Sequence, residues 1–313
     1  MRICSDISVM DREAWRDLVT ISPVATWFQT PEAYDFFASV QQCVHPFVVA
    51  VYEEKLKGVI VGYSVGEGGT IKHFFSQRTI IQGGPLLAED ISDDALIALL
   101  NAVPKRGIYC ETRNFNDYSR WRPVFERAGW NYQPHYDVYM ETKAGWQDRL
   151  QDAKKRQVNK ALKDGYSWSE ATTDKEVHTW YLELKQLYRN KVHRPLFGYK
   201  FFYQAWKKNF CHLLIVRDGY GNINGGALIP VMGSTAYEWY ICGSVMATFA
   251  LQDWCEKNGI TLLDAMGAGE PNKEYGVRDF KLRMGGQLHE FGRFCRIQAK
   301  YRYKLGVWII NLL

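Results

Sequence analysis

The stretch Tyr275-Gly-Val-Arg-Asp-Phe-Lys-Leu-Arg-Met-Gly-Gly286 concentrates charge on a short helical pattern. Arg278 and Lys281 fall at i and i+3, on one helix face, with Arg283 close by. Such a row can clamp an anion, or it can be a solvated face. Just upstream, ITLLDAMGAG reads as a strand that reaches Asp264 ahead of a glycine loop. A carboxylate at the C-terminal edge of a strand is where α/β folds place their sites; it also suits a plain loop hydrogen bond. Gly267 and Gly269 fit either a turn or a phosphate cradle. Tyr237-Glu238-Trp239-Tyr240 alternates along a strand. Tyr237 and Trp239 are expected in the core, while Glu238 and Tyr240 share the other side, which can face a cleft.

Other chemistries find no pattern. The histidines, including His193 before Arg194 and Pro195, show no H-E-x-x-H or other ligand spacing, so no metal site is expected. The cysteines at 4, 43, 110, 211, 242, 255 and 295 are odd in number and lack C-x-x-C spacing. This argues against a disulfide framework or a zinc site and for buried thiols in a reducing compartment. None carries a nucleophile signature.

A chain of 313 residues, 47% hydrophobic and 23% charged, is too apolar to be disordered and long enough for two cores. Aromatics make up 15%, mostly expected as core, with Tyr240 and Tyr275 the two expected to meet substrate. The net charge of +5 is unevenly spread. Residues 1–145 hold 14 Lys/Arg and 18 Asp/Glu, whereas 146–313 hold 25 and 16. The basic half points to an anionic partner: a phosphorylated small molecule, a nucleic acid or a lipid headgroup. The opening MRICSDISVMDREAW has charges where a signal peptide needs an apolar run, and no stretch has the length of a membrane span. The ending KYRYKLGVWIINLL suits a membrane interface or a terminal helix docked on the protein's own core.

The two halves repeat an order of elements. PFVVAVYEE and KLKGVIVGYSVG read as paired strands, followed by IIQGGPLL, a helix SDDALIALLNAVPKR capped by Ser92, a strand GIYCETR, a helix ending at Gly129, and a closing strand NYQPHYDVYMET. The second half runs CHLLIVRD, NINGGALIPVMG, TAYEWYICG, a helix ending at Gly259, ITLLDAMGAG, a helix GVRDFKLRMGG and a closing strand QLHEFGRFCRIQ. Between them lie a basic helix WQDRLQDAKKRQVNKALKDG and two further helices. The pattern is a duplicated α/β unit.

Central strands followed by helix, glycine and strand resemble the GNAT N-acyltransferase fold. The Q/R-x-x-G-x-G/A pyrophosphate loop of acetyl-CoA enzymes is absent from both halves: Arg78 has the wrong spacing, and Cys242-Gly243-Ser244 has the right position without the pattern. The tandem units, the basic helix K-x-R-x-x-x-K-A at Lys154–Ala161, the 275–286 stretch and the opening SPVATWFQTPEAYDFF together resemble the FemAB-type family over nearly the whole chain.

That resemblance implies an α/β fold of two tandem GNAT-like domains with mixed sheets flanked by helices. The expected division is 1–145, joined by a C-terminal helix over 300–313, and 146–299 with its basic helical segment at the start. Family members move an amino acid from aminoacyl-tRNA to an amine on a peptidoglycan precursor. By resemblance Lys281 sits near the reacting ester, with Met284 where the family has Phe, and Lys154, Arg156 and Lys160 contact phosphate. Amine attack on an ester develops an oxyanion, and a fixed donor beside it contributes roughly 3–4 kcal/mol. The amine must also lose a proton, for which Glu238, Asp264, Asp279 or the substrate's own phosphate are candidates.

The expectation is a cytoplasmic acyl or aminoacyl transferase of the bacterial cell envelope, with Lys281, Asp264 and Glu238 catalytic. Lys154, Arg156, Lys160, Tyr240, Tyr275, Arg278 and Arg283 would bind substrate. No tightly bound cofactor is expected. The donor is aminoacyl-tRNA or acyl-CoA, the acceptor a phosphate-bearing envelope precursor, and contact with the inner face of the membrane stays open. Three rivals stand beside it: an acyl-CoA-dependent GNAT acetyltransferase, a degenerate binding protein of the same fold, and a nucleic-acid binder using the basic half.

Overall fold

The computed structural model describes residues 1–66, 68, 76–243 and 245–303. Of the helix expected over 300–313, residues 304–313 lie outside them. The chain forms two compact units: Met1–Pro134 with the segment from Phe291, and His135–Glu290.

The first unit contains β1 (Arg2–Cys4), β2 (His45–Tyr52), β3 (Leu56–Val65), β4 (Arg78–Gly83), β5 (Leu86–Leu87), β6 (Tyr109–Asn114) and β7 (Asn131–Gln133). Beyond these lie β8 (Tyr136–Glu141), β9 (Ser167–Glu170), β10 (His212–Arg217), β11 (Ile223–Ile229), β12 (Val231–Met232), β13 (Thr235–Tyr237), β14 (Tyr240–Cys242), β15 (Leu262–Gly267), β16 (Gln287–Glu290) and β17 (Arg293–Ile297).

The sheet of the first unit runs β1-β2-β3-β4-β6-β17-β7, with β5 beside β3. Among the described pairs of this sheet, β4 with β6 is parallel and the others are antiparallel. The alternation of β2 and β3 puts Val49 and Ile60 on one face, where Leu96 and Leu99 of the Asp93–Asn101 helix and Phe125 meet them. Ser92 caps that helix as expected, its side chain accepting from the Ala95 N–H. On the opposite face Phe37 packs on Tyr63 with ring centroids 4.7 Å apart.

The second unit holds two sheets, β14-β11-β10-β9 and β12-β13-β15-β8-β16. Its parallel pair is β13 with β15. The Val245–Lys257 helix is buried along most of its length, which its apolar sequence with few charges requires. It joins Val138, Met140, Leu214, Ala227 and Leu263 in one core.

Each unit completes a sheet with a strand far away in the chain. β8 follows the first unit in the chain but lies between β15 and β16. β17 follows the second unit but lies between β6 and β7. The two units divide at 134/135 and 290/291, where the expectation put 145/146 and 299/300. The closing strands read as continuous over 131–142 and 287–298 are each broken in two. The breaks fall at Pro134, which cannot donate to a ladder, and at Gly292, whose φ is +66°. A Cβ at Gly292 would stand 2.2 Å from the Tyr132 ring.

Candidate functional site

The site grows from the parallel pair β13 and β15, where Tyr237 is opposite Asp264. Directly after Tyr237, the Glu238 N–H donates to the Asp264 carbonyl at 2.9 Å, and the Trp239 N–H turns back to the Tyr237 carbonyl at 2.8 Å. The chain leaves one sheet here and enters β14 of the other. The single strand expected over 235–243 is thus two strands, and Glu238 occupies the switch between them.

Opposite β8, β15 carries a bulge between Asp264 and Gly267. Met266 lies at its centre with φ +62°, a left-handed conformation that a side chain rarely adopts. The carbonyls of Ala265, Met266 and Gly267 converge on one point, and Lys281 fills it. Its Nζ donates to the Ala265 carbonyl and, at 3.1 Å each, to those of Met266 and Gly267. Lys281 is 6% exposed. An ammonium has three donors, and here every one has an acceptor.

Glu238 Oε1 lies 3.9 Å from the Lys281 ammonium, and both side chains are buried. Glu238 Oε2 has no hydrogen-bond partner. Burial pushes the Glu238 carboxyl up to about 7, with Lys281 pulling down and Asp137 adding to the rise. Asp264, 1% exposed, accepts the Met266 N–H on Oδ1 at 2.7 Å, while Oδ2 has no partner. Burial first, and the neighbouring Asp137 second, hold its carboxyl well above the usual carboxylate range. Glu238 and Asp264 are both pushed toward their neutral forms, because an isolated charge in so dry a place costs several kcal/mol.

Lys281, Glu238 and Asp264, expected from separate segments, therefore meet. Two groups that sequence reasoning missed join them from β8: Asp137 and Tyr139. Asp137 is 3% exposed, and the Tyr139 hydroxyl is pushed up by burial and by the Asp264 and Asp137 charges. The available signal was an aspartate in the middle of an alternating apolar strand.

The remaining residues are placed elsewhere. Arg278 donates to the carbonyls of Glu270 and Lys273 at 2.9 and 2.5 Å and so grips the 270–273 loop, while the Lys281 ammonium is bound to the carbonyls of residues 265–267. Tyr275 precedes the Gly276–Arg283 helix and packs its ring on Gly269. Tyr240 belongs to an aromatic cluster, its ring 4.9 Å from that of Phe202. The start of the Asp152–Lys163 helix meets the end of the Gly276–Arg283 helix. Here the Gln151 N–H donates to the Arg283 carbonyl at 3.0 Å, and the Lys154 Nζ lies 4.8 Å over the Phe280 ring. Burial and the Arg283 charge lower the Lys154 pKa. Arg156, Lys160 and Asp279 are exposed. No cluster of three metal-ligating side chains occurs among the described residues. No helix among them is long and apolar enough to cross a membrane.

No protein-family model and no curated protein sequence matches this chain. Solved structures do. FemX matches at a TM-score of 0.69 and 13% identity, covering 97% of this chain and 99% of FemX. This chain has the tandem GNAT-like fold of the FemAB type. L-PGS from Bacillus licheniformis matches at 0.59 and 12% identity, covering 96% of each chain. The C-terminal domain of a candidate lysylphosphatidylglycerol synthetase from Agrobacterium fabrum matches at 0.57 and 12%, covering 94% of each. At 12–13% identity these structures share the fold of this chain and little of its sequence.

Proposed function

We propose that this chain is an acyltransferase that moves an acyl or aminoacyl group onto an amine of a cell-envelope component. One observation carries the reading: a buried ammonium, Lys281, faces the Glu238 carboxylate at 3.9 Å, and that carboxylate turns a partnerless oxygen into the same buried space. A substrate amine is the donor such an oxygen lacks. The FemAB-type fold supports the transferase class. One structural neighbour is the C-terminal domain of a candidate lysylphosphatidylglycerol synthetase, a name that joins an amino acid to a phospholipid.

In the reaction the amine nitrogen bonds to the acyl carbon as the donor's C–O or C–S bond breaks, and the amine's proton passes to Glu238, which returns it to the departing oxygen or sulfur. A group whose pKa lies near neutrality is suited to that transfer. Lys281 stabilises the developing oxyanion through its charge. Its three hydrogen bonds hold the 265–267 bulge, so the ammonium does not move when the reaction charge appears. Lys154 and Arg283 supply positive charge for a phosphate-bearing acceptor or donor, with Arg156 and Lys160 further along the helix. The donor is aminoacyl-tRNA or acyl-CoA, and these substrates put the reaction in the cytoplasm.

The test is a transfer assay pairing charged tRNA and CoA thioesters with UDP-linked muropeptides and amine-bearing lipids. Transfer from one donor class that is lost in Lys281→Ala supports the reading. Transfer unchanged in Lys281→Ala removes the catalytic assignment.

A further inference from the structure

One stretch of the second unit that the transfer scheme leaves unused is rich in positive charge. Residues 184–217 contain eight Lys/Arg and no Asp or Glu. Two of the eight have carboxylate partners: Arg217 pairs with Glu176, and Lys207 lies 3.8 Å from Asp174. Lys185 and Arg189 have no ion pair and no side-chain hydrogen bond with a described residue.

Both belong to one helical segment. The Asp174–Leu187 helix runs on into a π-helical turn, Tyr188–Val192, and such turns recur at functional sites. Lys185 and Arg189 fall at i and i+4, and so do Gln186 and Asn190, which puts four donor side chains on one face. Glu183, the nearest acid in the chain, is about 200° round the helix from Lys185. Like charges at i and i+4 disfavour a helix. A helix C-terminus attracts cations, which accounts for the charges but not for the two carboxamides beside them.

The same face lines a cavity of about 330 Å³, with Leu182 as its apolar wall. That volume is within the range of small-molecule sites. Its described lining holds two cations, two carboxamides and no carboxylate. Arg grips a phosphate through two parallel N–H groups and Lys as a point charge, so two cations one turn apart can each take one phosphate of a diphosphate. The segment is also tied to the site. The Tyr188 ring lies 6.3 Å from that of Tyr240, and Tyr240 follows Glu238 by two residues. A ligand held by Arg189 is one residue along the helix from that contact.

We propose that the 182–190 face binds the diphosphate of a nucleotide-linked substrate, with Lys185 and Arg189 on the phosphates and Gln186 and Asn190 donating to their outer oxygens. This deepens the acyl-transfer reading and rests on it only for the ligand's role as substrate. An acyl-CoA donor and a UDP-linked acceptor both carry such a group, and the probes below separate them.

Isothermal titration calorimetry of the full chain with pyrophosphate, UDP and CoA tests the site without requiring turnover. The four side chains are exposed, so their replacement should leave the fold intact. Saturable binding of UDP or CoA is expected, with pyrophosphate competing. Lys185→Ala and Arg189→Ala should each weaken it about tenfold or more, and the uncharged change Asn190→Leu should weaken it as well. Tighter binding of UDP assigns the site to the acceptor, tighter binding of CoA to the donor. No saturable binding of any of the three probes, or binding that Arg189→Ala and Asn190→Leu leave unchanged, overturns the site. A lowered melting temperature in Arg189→Ala with unchanged binding would make the cations a helix-end cap and overturns it too. Binding as expected in a chain that transfers from no donor would leave the site standing and count against the transferase reading.

Discussion

The Lys281 ammonium stands 3.9 Å from Glu238 Oε1, yet its hydrogen bonds run to the carbonyls of residues 265–267. One side chain thus holds the bulge of β15 and sets the charge beside a buried carboxylate. Structure and chemistry at this point share a residue, and variants should show both effects.

Lys281→Met keeps the length of the side chain and removes charge and donors. Three carbonyls and Glu238 would be left without it, so unfolding free energy should fall by about 3–5 kcal/mol, the range for breaking a buried pair. Urea denaturation checks this. An unchanged midpoint would mean that the lysine does not hold the bulge.

Glu238 gives stability a pH dependence with a defined sign. Its carboxyl is raised from 4.5 to about 7 in the fold, so the unfolded chain ionises first. The stabilisation is present below about 4.5, falls as pH rises, and levels off above about 7. Glu238→Gln should therefore gain on the wild type between pH 5 and pH 8, by up to about 3 kcal/mol. Denaturation midpoints of both proteins at the two pH values test it; a parallel pair of curves would contradict it.

The strand β17, distant in the chain, should be indispensable to the first unit. Phe294 stacks on Phe125 with centroids 4.0 Å apart and is 1% exposed. Phe294→Ala should cost about 3–5 kcal/mol. A fragment covering residues 1–145, the division read from sequence, lacks the strand between β6 and β7 and should fail to give a cooperative unfolding transition by circular dichroism.

Gly292→Ala tests the second strand break. Its φ of +66° and the Tyr132 ring, 2.2 Å from where the added methyl would stand, both oppose a side chain. A loss of about 2 kcal/mol or more is expected, read from thermal melts.

Local features were legible because their causes are local. The Ser92 cap and the helix ends at Gly129 and Gly259 follow from single side chains and positive φ values. The duplicated order of elements was legible from hydrophobic pattern. The long-range pairing of β8 and β17 was not, because pairing is decided by distant segments; Pro134 and Gly292 were the signals present. Among site residues, Lys281, Asp264 and Glu238 were legible by type and position. Their meeting depends on Met266 in a left-handed conformation, which a methionine does not announce. Asp137 was hidden because β8 pairs with strands more than a hundred residues away in the chain.

The most direct test of the central claim is the pH–rate profile of acyl transfer for the wild type and Glu238→Gln with the donor the wild type accepts. The account predicts a wild-type rate that rises through about pH 7 and levels off, and a Glu238→Gln rate lowered about 100-fold or more with that rise gone. A Glu238→Gln enzyme that keeps the wild-type rate and the same rise would contradict it.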